Sequence, residues 1–190
     1  MNILKKIGTA IFATSYYITA IILGIIISIA IISFVGLKTY SNTIENYSQT
    51  QVAWNNLTED IYSDIAICKK QITVLYSEIA NLSQEEQETY SYKLNILTRR
   101  LEDLDNAMTY SEQFQIYPDL PDIVSTINNL TKKIENKSNF DVSFINNNPN
   151  LLTTYNNATL ETNSSLDTPF GKIISNIFDL HYWSQLQIKY

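Results

Sequence analysis

The sequence predicts an all-α protein, an N-terminal transmembrane helix followed by an antiparallel four-helix bundle with long helices. Three observations predict it. No charged residue occurs from Ile7 to Leu37, and the densest part, Ile18 to Val35, is mostly Ile. Further on, Trp54, Leu57, Ile61, Ile65, Cys68, Ile72, Leu75, Ile79 and Leu82 follow one another in steps of three and four. That is a sustained helical stripe with a near-heptad repeat. Third, the 190 residues hold only four Gly and four Pro, too few for a β-rich fold built on tight turns.

A run of about 20 apolar residues crosses a hydrocarbon core of roughly 30 Å. The span is placed from Tyr17 to Leu37, with residues 1–16 as a short leading segment and residues 38–190 as the helical domain. Tyr16 and Tyr17 sit where an interfacial aromatic belt belongs. The competing reading is a cleaved signal peptide. Ser28-Ile29-Ala30 has the small-x-small pattern of a cleavage site. It is followed by Ile31-Ile32-Ser33-Phe34-Val35, still apolar, whereas a cleavage site lies in a more polar stretch. An uncleaved anchor is expected. Lys5, Lys6 and the α-amine precede the span, and Lys38 alone follows it before Glu45. The positive-inside bias then puts the N-terminus in the cytoplasm and the domain outside. Ala20, Gly24 and Ser28 recur every fourth residue, a spacing that lets two such helices approach closely in lipid and form a homodimer.

The first helix of the domain is expected from Asn42 to Leu82. Ser83-Gln84-Glu85-Glu86 reads as a capping box that opens the second helix. That helix carries Tyr90, Leu94, Leu97, Leu101, Leu104 and Met108 on one stripe and ends before Pro118. The turn is short, so the two helices are expected to be antiparallel neighbours. A third helix from Leu120 to Lys137 presents Ile123, Ile127, Leu130 and Ile134. Asn146-Asn147-Asn148-Pro149-Asn150 reads as a turn. A fourth helix runs from Leu151 to Leu166, and Asp167-Thr168-Pro169 breaks it. A short amphipathic segment closes the chain with Phe170, Ile173, Ile174, Ile177, Phe178, Tyr182 and Trp183.

Composition excludes much chemistry. The chain is 45% hydrophobic and 17% charged, with a formal charge of −6, which argues against nucleic acid and anionic lipid as general partners. A single Cys excludes an internal disulfide and a Cys-only zinc site, and a single His removes the His-rich metal sites and most triads. His181 has Phe178 three residues before it, where a carboxylate-bridged di-metal bundle needs Glu. It reads as a packed or exposed surface residue, with weak metal binding beside Asp179 as the sharper alternative. Cys68 falls on the apolar stripe and reads as a small hydrophobe. Lys69-Lys70 and Arg99-Arg100 read as exposed cations meeting carboxylates four residues away. The alternative is that they face one another and bind an anionic partner. Glu102, Asp103 and Asp105 point apart around a helix and make a poor calcium cage. No Gly-rich phosphate loop, nucleophile elbow or His-Glu-x-x-His occurs. Catalytic, cofactor-binding and metal residues are therefore all assigned as none, no cofactor is expected, and an enzyme is not. Among 28 Ile and 20 Asn are seven Asn-x-Ser/Thr sequons, a mild excess over the roughly four that so Asn-rich a chain yields by chance, and glycosylation is the sharper alternative only where host and compartment allow it.

Tyr117-Pro118-Asp119-Leu120, Tyr155-Asn156-Asn157-Ala158, Thr162-Asn163 and a final stretch of Pro169, Ile173-Ile174, Ile177-Phe178 and Tyr182-Trp183 occur in that order. With the anchor and the chain length, this pattern resembles the LemA family. The first helix matches weakly. Its Asp64-Ile65-Ala66-Ile67-Cys68-Lys69-Lys70 is only loosely similar to the family's basic stretch, and the Asp-Leu-Ile-Pro-Asn-Leu-Val run is missing. Asn146 to Asn150 lie where the family runs a more continuous helix. The resemblance implies a membrane-anchored helical bundle with no established enzymatic activity. It also implies motif residues whose work is packing between helices.

The expected function is a non-catalytic scaffold or interaction protein of the cell envelope whose partner is another membrane or envelope protein. The segment from Phe170 to Trp183 is the docking candidate; the competing reading folds it back onto the core. The alternative function is an extracytoplasmic sensory, ligand-binding bundle working through a partner membrane protein, since only about 16 residues precede the span.

Overall fold

The computed structural model describes residues 2–135 and 144–187, with side chains described for 15–134 and 150–187. The elements are α1 (Asn2–Ile79), α2 (Gln84–Asn106), α3 (Tyr110–Ile116), a 3-10 turn (Tyr117–Asp119), α4 (Leu120–Glu135), α5 (Phe144–Leu166) and α6 (Pro169–Phe178). No strand occurs among the described residues.

The expected anchor and the expected first domain helix fall in one element of 78 residues. Residues 38–41, which lie between the two expected helices, continue the ladder, because Lys38-Thr39-Tyr40-Ser41 contains neither Pro nor Gly to interrupt it. The N-terminal part of α1 is long and apolar enough to cross a membrane, and none of its apolar window is buried. Length and composition of this kind also fit a signal sequence. Inside it, Thr19 donates its hydroxyl to the Ser15 carbonyl at 2.9 Å and Ser28 to the Gly24 carbonyl at 2.8 Å. Both hydroxyls are thereby satisfied without a partner from outside the helix.

The chain divides into two compact units. One comprises Met1–Asn46 with Ser164–Tyr182, the other Tyr47–Asn163 with Trp183–Tyr190.

In the second unit, every stripe residue of α1 from Trp54 to Ile79 is buried, and Leu82, beyond the end of α1, is partly so. Leu94, Leu97, Leu101 and Leu104 of α2 and Leu120, Ile123, Val124, Ile127 and Leu130 of α4 join the same core. The box at Ser83 forms: the Glu86 carboxylate accepts from the Ser83 amide at 3.2 Å and from its hydroxyl. The second helix stops earlier than expected, at Asn106. Thr109 and Glu112 make a second capping box that opens α3, so Met108 is 87% exposed rather than on the stripe. The third helix ends at Glu135 in the described chain, and its expected end at Lys137 lies outside the described residues. Asn146 to Asn150 are not a turn, since α5 already begins at Phe144. Pro149 falls in the second turn of α5, where it costs one backbone bond without ending the helix.

Pairs between helices are specific. Tyr62 donates to the Ala107 carbonyl at 2.9 Å, Lys69 meets Asp105, and Tyr76 donates to Asn95 at 2.7 Å. Arg100 contacts Asp122 at 2.8 Å and Asp119 at 3.8 Å. Gln71 reaches Thr131 at 3.2 Å, and the Thr50 and Thr162 hydroxyls lie 2.8 Å apart. Lys69 and Arg100 thus meet carboxylates of other elements, not those four residues along their own helix.

In the first unit, Asn46 donates to Ser165 at 2.7 Å, beside the turn into α6. The Thr168 hydroxyl caps α6 by accepting from Gly171 at 2.9 Å, and Pro169 occupies the first helical turn, where its missing amide costs nothing. Asp179 ends α6 with φ 52° and ψ 41°. The closing segment is therefore helical only to Phe178, and residues 180–187 have no regular secondary structure.

Candidate functional site: an aromatic cluster closed by the C-terminal segment

The densest constellation in the second unit grows around Trp54 on α1. Its ring lies 4.8 Å from that of Tyr110, 5.1 Å from Tyr155 and 6.0 Å from Tyr117, the last nearly parallel to it. Trp183 completes the cluster, 5.0 Å from Tyr110, 5.7 Å from Tyr47 and 6.4 Å from Tyr155. Edge-to-face pairs of this kind add about 0.5–1.5 kcal/mol each beyond their buried area. The chain reaches this point from four directions. The heptad stripe of α1 brings Trp54, the Thr109 capping box starts the short α3 at Tyr110, the 3-10 turn supplies Tyr117, and α5 supplies Tyr155.

The fifth contribution is not helical. Asn163 donates its amide to the Trp183 carbonyl at 2.8 Å and accepts the Trp183 amide at 3.0 Å. Asn156 does the same to Leu186, at 2.9 Å in both directions. Asn156 and Asn163 are seven residues apart, two turns along one face of α5. Each uses one donor and one acceptor to hold one residue of the C-terminal segment by its backbone alone. Between them, Tyr155 donates to the Ser184 carbonyl at 2.7 Å, and Tyr110 accepts the Ser184 amide at 3.1 Å while lying 2.9 Å from the Tyr155 hydroxyl. Trp183 and Leu186 are buried as a result.

This arrangement binds backbone and apolar side chains; it does not activate a nucleophile. Burial drives the Tyr117 and Tyr155 hydroxyls well above the ordinary phenol range. Burial, and after it the charge of Asp64, pushes the Cys68 thiol up to about 12. A thiol held neutral and fully buried is inert. His181 is exposed in the segment that follows α6, and no cluster of metal-ligating side chains exists among the described residues. Glu102, Asp103 and Asp105 are exposed, and Asp105 is engaged by Lys69. Next to the cluster, an open groove of about 340 Å³ runs between α1 and α5, lined by Gln49, Val52, Asn56, Thr154 and Ala158.

The docking segment divides in two. Trp183 joins the core and Tyr182 stays exposed, donating to Asp167 at 3.0 Å. Ile173, Ile177 and Phe178 remain exposed on α6. Tyr117 and Tyr155 both lie against Trp54, and Tyr155 against Trp183, while the Asn156 and Asn163 side chains hold a segment without regular structure and not a second helix. Sequence reading missed the buried threonines Thr43, Thr50, Thr159 and Thr162. Their signal was position: Thr43 and Thr50 continue the heptad that leads to Leu57, and Thr159 and Thr162 lie between Tyr155 and Leu166 in steps of three and four. Comparison of the chain with protein-family models, with curated proteins and with solved structures finds no match.

Proposed function

We propose that the chain is a single-pass, membrane-anchored helical bundle of the LemA type, a non-catalytic scaffold or interaction protein of the cell envelope. One observation carries the reading: the same helix, α1, bears a wholly exposed apolar run and, further along, a wholly buried heptad stripe. The exposed run needs lipid, and the buried stripe needs helices around it. An antiparallel bundle of α1, α2, α4 and α5 is supported by the order of contacts. Tyr62, Lys69 and Tyr76 ascend α1 while their partners, Ala107 just past the end of α2 and then Asp105 and Asn95 on it, run the other way. Trp54 pairs with Tyr117 and Gln71 with Thr131, so α4 ascends with α1. Trp54 with Tyr155 and Thr50 with Thr162 make α5 descend. The LemA reading is supported by the convergence of its motif residues, scattered from 117 to 183, on one cluster.

The orientation proposed is N-terminus in, from Lys5 and Lys6 against Lys38. The partner is a membrane or envelope protein, and a homodimer forms through Ala20, Gly24 and Ser28, where nothing lies within 4 Å of an added Cβ at Gly24. Protease treatment of intact cells, with lysed cells as control, tests the anchor and its direction. Digestion to a membrane-retained N-terminal fragment is expected. Protection in intact cells overturns the orientation, and release of the whole domain without a membrane-bound fragment overturns the anchor. The alternative, a ligand-binding sensory bundle, draws on the groove beside Val52, whose volume suits a small apolar ligand. Saturable stabilisation in a thermal-shift screen, lost on Val52→Trp, would favour it.

A further inference from the structure

The first unit leaves an apolar face of α6 uncovered. On a helix, Phe170, Ile174 and Phe178 fall on one side, and Ile173 and Ile177 fall next to it. The first side is used. Ile174 is buried, the Phe178 ring lies 5.6 Å from that of Tyr40, and Phe170 packs where a Cβ on Gly36 would come within 3.4 Å of it. The second side is not: Ile173 is 55% exposed and Ile177 68%.

What lies at this level of α1 decides what covers that face. Gly36 and Tyr40 are one turn apart, about 6 Å along the helix. They bracket Leu37, where the uncharged run ends. Phe34 and Leu37 are exposed beside them. The open face of α6 is therefore continuous with the exposed apolar surface of α1 at the very end of the span. The charges fit the same surroundings. Lys172 is the only charged residue on α6, with Asp167 and Asp179 just outside it. So small a positive charge attracts no acidic partner, and the long Lys172 stem lets its ammonium reach water above an apolar layer.

We infer that α6 is an interfacial helix, lying in the headgroup region of the same bilayer that α1 crosses, with Ile173 and Ile177 set into the acyl boundary. The inference rests on α1 being an uncleaved anchor. A ten-residue helix alone would bind lipid weakly. Held against α1 at Gly36 and Tyr40, it meets the bilayer as an intramolecular event at high effective concentration. Its lipid is zwitterionic as readily as anionic, because contact is apolar and not electrostatic.

The test uses the full chain reconstituted in phosphatidylcholine vesicles. Leu23→Cys, Ile173→Cys, Asn176→Cys and Ile177→Cys each carry an environment-sensitive fluorophore, and native Cys68 stays in place because its buried thiol does not label. Quenchers are spin labels at known depths in the lipid. Residues 173 and 177 are expected to emit to the blue of residue 176 and to be quenched from a depth of about 5–10 Å. Residue 23 is expected to be quenched from the bilayer interior. If residue 23 is quenched while 173 and 177 behave like 176, the interfacial helix is wrong and the anchor stands. If residue 23 is not quenched, the anchor itself fails. Blue emission at 177 without lipid quenching, together with 177–177 crosslinks, would place a second copy on this face and overturn the lipid assignment.

Discussion

Asn163 holds both backbone groups of Trp183, and its two bonds respond differently to substitution. Asn163→Asp keeps the acceptor for the Trp183 amide but sets a carboxylate oxygen against the Trp183 carbonyl. The expected loss is about 1–3 kcal/mol, the range for a buried polar group deprived of its partner, read from the urea midpoint. Cys68 and the two buried phenols make a second prediction. The Cys68 thiol titrates near 9 when unfolded and at about 12 in the native core. Between those values the native chain keeps a proton that the unfolded chain has lost. Stability is therefore complete below pH 9 and falls as pH rises towards 12, by at most about 1.4 kcal/mol per pH unit for each such group. Tyr117 and Tyr155, raised in the same direction, add to the fall from their ordinary value of 10 upward. Urea midpoints measured across this alkaline range check it, and Cys68→Ala should remove the part that begins first. At this scale the apolar stripe was legible from Trp54 to Ile79, because each of those letters is unambiguous. Thr43, Thr50, Thr159 and Thr162 occupy the same kind of position and are fully buried. A threonine on a heptad reads as surface until a partner such as Thr162, 2.8 Å from Thr50, satisfies it.

The turn between α5 and α6 depends on Gly171. A Cβ there would lie 2.0 Å from the Ser165 carbonyl oxygen and 2.8 Å from the Thr168 hydroxyl. Gly171→Ala is expected to cost about 1–3 kcal/mol as overpacking and to loosen α6, seen as faster amide exchange at Gly171 to Ile174. Asp179→Gly should do the opposite, since a left-handed residue with a side chain costs roughly 1–2 kcal/mol that glycine does not. A small rise in melting temperature checks it. Whole elements were legible where the period was long and the cap was local, as at Ser83–Glu86. They were not legible where two signals competed. The stripe of α2 pointed on to Met108, but Thr109–Glu112 captured the chain first. Pro149 pointed to a turn, but it falls early in α5, where a single lost bond is outweighed by the helix that follows.

On the scale of the molecule, the sequence was enough for an all-helical chain with a long N-terminal apolar helix, and not for the fate of its last residues. Amphipathic spacing continued a helix through Tyr182-Trp183, whereas Asp179 turns left-handed and residues 180–187 have no regular secondary structure. No periodicity encodes that, because Asn156 and Asn163 read backbone and place no demand on the letters they hold. The same clamp has a kinetic consequence. Tyr47 and Trp183 touch across 136 residues of chain, whereas Tyr76 and Asn95 are 19 apart. Closing the long loop is entropically dearer and needs α1, α3 and α5 already in place. The segment should therefore close late, after the rate-limiting step. Trp183→Ala, expected to cost about 3–5 kcal/mol, should leave the refolding rate nearly unchanged and speed unfolding by almost the whole factor; stopped-flow chevrons would show it. A late-closing clasp sets how long the folded state lasts and has little bearing on how fast it is reached.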